Sequence, residues 1–144
     1  MQAAGDENST DDAAKRAEVE VAIQWNTSYS EHVMSFANNI YTPDGGMHME
    51  GFRTALTRVI NDYARKQNLL KEKDANLTGD DVREGLSAVI SVKLPDPQFE
   101  GQTKAKLGSS YMRALTLKIV TDGLADYLEE HPKPAREIVK KAQQ

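Results

Sequence analysis

Residues 92–108 read VKLPDPQFEGQTKAKLG, a stretch in which a strand ends, a loop follows and a helix is about to begin. Two prolines end the strand, because a proline has no N–H to donate to a neighbouring strand. Two glycines then bracket a polar loop that carries Lys104 and Lys106. A loop of this kind is more often a solvated connection than a ligand site. The phosphate-binding spacing Gly-x-x-x-x-Gly-Lys-Ser/Thr is not found here.

Two lysines on an open loop do not make a nucleotide site by themselves. An ammonium near a phosphate gains about 1 kcal/mol in water and about 4 kcal/mol at an effective dielectric constant of 20. Even millimolar binding needs about 4 kcal/mol net. The loop can therefore serve an anion only if a partner surface brings the phosphate and excludes water.

Composition narrows the class of protein. The 144 residues are 39% hydrophobic, which is enough for one domain with a core. Without cysteine, disulfides, thiolate nucleophiles and cysteine zinc sites are excluded. The net charge of −4 argues against broad nucleic-acid wrapping, and the three histidines are too scattered for a metal motif. No signal sequence or bilayer-spanning run is visible, so a cytoplasmic location is expected.

Hydrophobic periodicity predicts three strands. Alternating residues over 18–25 indicate a half-buried strand, and residues 32–38 indicate a second. The turn-forming stretch NTSYS between them favours an antiparallel hairpin. A third strand is predicted over residues 88–94, with four apolar side chains on one face: Ala88, Ile90, Val92 and Leu94.

Helical spacing alternates with these strands. A helix of about five turns is predicted from near Phe52 to near Asn68. Thr78-x-x-Asp caps a short helix that Gly85 closes. Ser109 or Ser110 caps a second long helix with a predicted apolar stripe of Met112, Leu115, Ile119, Gly123, Leu124 and Tyr127. A Pro-rich break precedes another helix over residues 135–144. This order predicts a two-layer sheet-and-helix domain.

The chain divides into three segments. Residues 1–17 are acidic and small, and are predicted to be flexible. Residues 18–131 form the domain. Residues 132–144 are interpreted as the start of a C-terminal connecting helix.

Residues 92–108, 45–61 and 35–42 together resemble the transducer-domain family of DNA gyrase B and topoisomerase IV. The resemblance extends over about residues 18–144. It implies an α+β fold, a two-layer sandwich with a left-handed βαβ crossover. It also implies that Lys104, as a catalytic residue, and Gln102 contact the γ-phosphate of ATP bound in a preceding ATPase domain. Met47 departs from the family, which usually has threonine there.

The same resemblance implies the cofactors and partners. ATP and Mg²⁺ would be bound mainly by the ATPase domain, and no metal ligands are assigned in this chain. The implied partners are that ATPase domain, a following metal-binding domain, the gyrase A protein, duplex DNA and a second copy in a homodimer. The implied function is to couple ATP hydrolysis to clamp closure and strand passage in ATP-dependent negative supercoiling, and the isolated fragment is expected to be inactive.

Alternatives remain open at this point. The chain could be a topoisomerase IV transducer, or a module of the same fold that binds nucleic acid or protein without catalysis. A small-molecule kinase is disfavoured, because a complete phosphate-binding glycine motif is missing. His48 is interpreted as a hydrogen-bonded residue at a helix start. The acids Asp80, Asp81 and Glu84 are interpreted as helix-start residues, and some of the basic residues on the first long helix could face DNA: Arg53, Arg58, Arg65 and Lys66.

Overall fold

The structure is a computed structural model that describes residues 2–4, 16–28, 30–100 and 104–143. Seven strands and four helices lie in these ranges. The strands are β1 (Gln2–Ala4), β2 (Glu18–Trp25), β3 (His32–Ala37), β4 (Ile40–Tyr41), β5 (Leu86–Lys93), β6 (Phe99–Glu100) and β7 (Lys106–Leu107). The helices are α1 (Met47–Lys66), α2 (Gly79–Arg83), α3 (Tyr111–Glu130) and α4 (Pro132–Ala142).

A five-stranded sheet has the order β1-β2-β5-β3-β4, and β6 and β7 form a separate two-stranded sheet. The predicted β2–β3 hairpin is therefore wrong. Strand β2 pairs antiparallel with β5, and β3 pairs parallel with β5. Strand β5 alternates buried Leu86, Ala88, Ile90 and Val92 with more exposed residues. In the centre of the sheet, β5 forms hydrogen bonds along both of its edges. If β2 and β3 were paired with each other, this apolar strand would be an edge strand.

Four short strands were not expected from the sequence: β1, β4, β6 and β7. Strand β4 follows β3 through a two-residue turn in which Asn38 and Asn39 have φ values of 50° and 68°. Two consecutive left-handed residues are typical of a type I′ hairpin turn. Strand β1 pairs with the first three residues of β2. Residues 5–15, most of the segment predicted to be flexible, lie outside the described residues.

Helices α1 and α3 form the second layer and approach each other closely at Gly51. A Cβ placed on Gly51 would lie 2.4 Å from the carbonyl oxygen of Arg113. The predicted end of α1 is confirmed within two residues, although the helix begins earlier than Phe52, at Met47. The predicted cap of α2 is also confirmed. Thr78 and Asp81 each accept a hydrogen bond from the other's backbone N–H.

The predicted stripe of α3 is partly wrong. Ile119 is only half-buried and Tyr127 is 41% exposed, because the face turned inward is set by contact with α1 near Gly51. The buried residues follow a different row: Met112, Leu115, Thr116, Val120, Leu124 and Leu128.

Helix α4 packs on the same domain and buries Ala135, Val139 and Ala142. Mixed helices and strands in two layers confirm the predicted α+β class. None of the helices in the described ranges has the length and apolar character needed to cross a bilayer.

Candidate functional site

The glycine-bracketed polar loop connects the two strands of a short β-hairpin. Phe99 pairs with Leu107 and Glu100 pairs with Lys106 across β6 and β7. Leu107 is fully buried and joins the main core, so the hairpin has an apolar anchor at its base. Gln102 lies outside the described residues.

One edge of the hairpin is attached to the turn that starts α1. The N–H of Leu107 donates to the carbonyl oxygen of Gly45 at 3.0 Å, and the N–H of Asp44 donates to the carbonyl oxygen of Ala105 at 2.9 Å. Gly46 forms a parallel bridge with Leu107. A Cβ at Gly46 would lie 2.2 Å from the Leu107 carbonyl oxygen, so only glycine permits this approach.

Ser109 closes the base of the hairpin, next to the pair of Gln98 and Gly108. Its Oγ accepts a hydrogen bond from the N–H of Gln98 at 2.9 Å, and the N–H of Gly108 donates to the Gln98 carbonyl oxygen at 2.7 Å. The N-cap position of α3 is Ser110, which forms no side-chain capping bond. The serine pair therefore marks the helix start as predicted, but its first member fixes the hairpin instead.

The two lysines of the hairpin differ in their surroundings. Lys106 forms an ion pair with Glu100, its cross-strand neighbour, at 3.2 Å. Lys104 is exposed and has a left-handed backbone, with φ of 56°. No hydrogen bond or ion pair within the described ranges involves the Lys104 ammonium. Lys104 is thus an exposed cation of the hairpin, whereas Lys106 is paired across the two strands.

His48 is fully buried and contacts Thr42 in the docking turn, which is the turn over residues 42–46 that is hydrogen-bonded to β7. Its Nε2 is 3.1 Å from the Oγ1 of Thr42, which also contacts Ser35. Burial lowers the pKa of His48 from 6.5 to about 4, so the imidazole is neutral near pH 7. The interpretation of His48 as a hydrogen-bonded helix-start residue is confirmed.

Asp80 and Asp81 lie in the first turn of α2 as predicted, whereas Glu84 is its C-cap, so the interpretation of Glu84 as a helix-start residue is wrong. Asp81 belongs to the cap of α2, and Asp80 pairs with Arg83 at 2.7 Å. Across the described parts of the chain, no group of three His, Cys, Asp or Glu side chains is placed to hold a metal ion. Within the described ranges the chain therefore offers no ligand set for magnesium.

Three of the basic residues singled out on α1 make polar contacts with other parts of the domain. Arg53 lies 3.7 Å from Glu31, and Lys66 pairs with Glu129 at 2.8 Å. Arg65 donates to the backbone of Lys71 and Asp74 and to Asn76, and so fixes the loop after α1. Arg58 is exposed.

A groove lies between β2, α3 and α4, away from the hairpin. This groove of about 1080 Å³ is lined by Trp25, Tyr127 and Ile138 among others, and it shares no residue with the hairpin. Hydrophobic periodicity did not indicate the groove, because its walls come from three separate elements.

Comparison with known proteins shows which family this chain resembles. The family model described as DNA gyrase B matches residues 2–144. The DNA gyrase B protein of Streptococcus pneumoniae serotype 4 is 63% identical over 123 residues, which make up 85% of this chain and 19% of that protein. The chain thus spans about a fifth of the length of this curated relative.

Two solved structures are similar in fold and sequence. The 43K ATPase domain of Thermus thermophilus gyrase B, in complex with an aminocoumarin, has a TM-score of 0.82 at 42% identity, over 88% of this chain and 34% of that one. The topoisomerase IV ATP-binding domain of Francisella tularensis, in complex with a small-molecule inhibitor, has a TM-score of 0.80 at 30% identity. That match covers 99% of this chain and 37% of that one.

Proposed function

The chain belongs to the DNA gyrase B family, and we propose that it is the transducer domain of a gyrase B protein. In this role it couples ATP binding and hydrolysis in an adjacent ATPase domain to clamp closure and DNA strand passage. Lys104 contacts the γ-phosphate, and Gln102 contacts it as well. The chain alone is inactive in ATP hydrolysis.

The observation that carries the proposal is the contrast between the two ends of the hairpin. Its base is attached by backbone hydrogen bonds to the turn before α1, and the N–H of Gln98 donates to the Ser109 hydroxyl near the start of α3. Its far end presents the exposed Lys104 ammonium. A cation at the end of an anchored hairpin can reach into a neighbouring domain while the core stays in place. An electrostatic contact in a site shared by two domains requires such a fixed position.

The chemistry assigned to Lys104 is electrostatic. ATP, bound with Mg²⁺ by the adjacent domain, supplies the phosphoryl group that is transferred to water. The Lys104 ammonium donates hydrogen bonds to that group and offsets the negative charge that grows during transfer. Lysine suits this because its charge is compact and its stem is long and flexible.

The proposed partners follow from the family. They are the preceding ATPase domain and the following metal-binding domain of the same polypeptide, the gyrase A protein, duplex DNA and a second copy of the gyrase B protein. With a net charge of −4, this chain contributes to DNA contact through local basic residues rather than through its overall field.

The test is the rate of ATP hydrolysis by a protein that joins this chain to the ATP-binding domain. Lys104→Ala is expected to lower kcat by about 10²–10³, the usual cost of removing one donor to a developing anion. The matched control is Lys106→Ala, which removes a lysine two residues away that is already paired with Glu100. Hydrolysis by Lys104→Ala at the parent rate would refute the assignment.

The similarity to the topoisomerase IV ATP-binding domain supports a second candidate, a topoisomerase IV transducer. Negative supercoiling of relaxed plasmid by the full-length protein together with gyrase A supports the gyrase assignment. Relaxation or decatenation without supercoiling supports topoisomerase IV. Tight DNA binding by this chain alone, with a steep salt dependence, would favour a simple binding module instead.

A further inference from the structure

The buried contacts of His48 form a chain of three side chains. Thr42 Oγ1 is 2.8 Å from the carbonyl oxygen of Ser35 and 3.1 Å from His48 Nε2. The Ser35 hydroxyl lies 2.7 Å from the same Thr42 oxygen. All three side chains are at most 1% exposed. The network therefore joins strand β3, the turn after β4 and the first turn of α1 through direct contacts.

Donor and acceptor capacity fixes the direction of these bonds. Thr42 has one hydroxyl proton, which the Ser35 carbonyl oxygen accepts at 2.8 Å in the arrangement that leaves the Thr42 oxygen as an acceptor for His48. His48 then donates from Nε2–H, and its Nδ1 is a bare lone pair. Nδ1 is buried and has no hydrogen-bond partner among the described residues. The opposite tautomer would bury an N–H with no acceptor there, which folded proteins strongly avoid.

The same turn carries the hairpin. The Thr42 carbonyl oxygen accepts a hydrogen bond from Gly45 N–H at 2.9 Å, which closes the turn. Gly45 in turn accepts from Leu107 N–H, and Asp44 donates to Ala105, the residue next to Lys104. His48 thus supports, through Thr42, the surface on which β7 is seated.

We infer that His48 is a positioning residue for Lys104, acting through the Nε2–H bond to Thr42 and the 42–46 turn. The inference rests on the proposed function. It assigns to this histidine no contact with nucleotide and no proton transfer. A histidine serves here because its ring fills the buried space and still presents a directed donor, which an aliphatic side chain cannot.

The first test is a double-mutant cycle in the protein joined to the ATP-binding domain. His48→Leu removes the donor and is expected to lower kcat about tenfold to a hundredfold at unchanged KM for ATP, because misplacement of a reacting group costs that much. His48→Gln, whose amide reaches the Nε2 position, restores most of the rate. In the Lys104→Ala background, His48→Leu is expected to change kcat by less than about twofold.

Equal losses in both backgrounds would overturn the inference, because His48 would then act independently of Lys104. The inference also fails if His48→Gln is as slow as His48→Leu. Thr42→Val breaks the same bond from the other side and also removes both contacts with Ser35, so it should be at least as slow as His48→Leu. Failure of the proposed function has a different signature: Lys104→Ala alone hydrolyses ATP at the parent rate.

The second test requires no nucleotide. Hydrogen exchange in this chain is expected to be at least about tenfold faster at the amides of Asp44 and Leu107 in His48→Leu, with the amides of β5 unchanged, because only the docking turn loosens. Unchanged exchange at Asp44 and Leu107 would overturn the inference. Equal acceleration in β5 would also overturn it, since it would show a general loss of stability.

Discussion

Gly46→Ala should be among the most damaging single substitutions near the hairpin. Gly46 has φ of 122° and ψ of −155°, a region that is essentially restricted to glycine and costs other residues about 1–3 kcal/mol. The new Cβ would also lie 2.2 Å from the Leu107 carbonyl oxygen and 2.5 Å from its nitrogen. Both are backbone atoms, so the hairpin itself must move.

The displacement of β7 determines how much free energy of unfolding is lost. Displacing β7 breaks the Leu107–Gly45 and Asp44–Ala105 hydrogen bonds, worth about 1 kcal/mol each. It also exposes part of the buried Leu107 side chain, worth up to about 2 kcal/mol. Together with the backbone strain, the expected loss is about 4 kcal/mol. For a domain of this size that corresponds to a fall in Tm of roughly 10 °C or more.

The assay is urea and thermal unfolding of the chain, followed by circular dichroism. Gly79→Ala is the matched control. Its new Cβ would approach only side-chain atoms, Arg83 Nη1 at 2.7 Å and Thr57 Oγ1 at 3.5 Å, and no backbone atom. The control should stay within about 1 kcal/mol of the parent. An unfolding midpoint for Gly46→Ala equal to that of Gly79→Ala would refute the idea that the hairpin is seated on this glycine.

Three further outcomes are expected from unfolding measurements. Asn61→Leu should cost about 2–4 kcal/mol in urea unfolding, because the buried Asn61 amide satisfies both backbone groups of Leu77 and the substitution leaves them unpaired. His48 has a folded-state pKa of about 4, below its ordinary 6.5, so the unfolded chain binds the extra proton and stability falls by about 3 kcal/mol as pH falls through that window. His48→Gln should show a correspondingly shallower acid dependence in urea titrations on either side of the window. Lys66→Ala should leave the thermal midpoint unchanged, since the ion pair of Lys66 with Glu129 is exposed to solvent, and a clear fall would contradict this.

The sequence predicted the strands themselves better than the way in which they pair in the sheet. Alternation over residues 18–25 and 88–94 identified β2 and β5 and their buried faces, because that period depends only on local geometry. It could not show that β5 lies between β2 and β3. Pairing depends on the energy of the whole sheet, and a hairpin between neighbouring strands is only the usual local solution.

In the candidate site, too, the sequence identified the residues but not their contacts. The difference between Lys104 and Lys106 arises from a cross-strand contact with Glu100, which becomes visible only once β6 and β7 are in register. Ser109 had the signature of a helix cap, yet its hydroxyl holds Gln98. Residues near a helix start can satisfy either role, and the tertiary position of the hairpin decides between them.

The strength of the hairpin base limits how the proposed coupling works. Two backbone hydrogen bonds attach it to the turn before α1 and the Ser109 hydroxyl accepts a third from Gln98, at about 1 kcal/mol each before the burial of Leu107 is counted. A single contact between Lys104 and a phosphate is worth about 1–4 kcal/mol, depending on how far water is excluded. Under the proposed coupling, loss of the γ-phosphate therefore releases the far end of the hairpin without detaching its base. The signal must then pass as a movement of the whole domain, with α1 carried along because Gly46 fixes its first turn to β7.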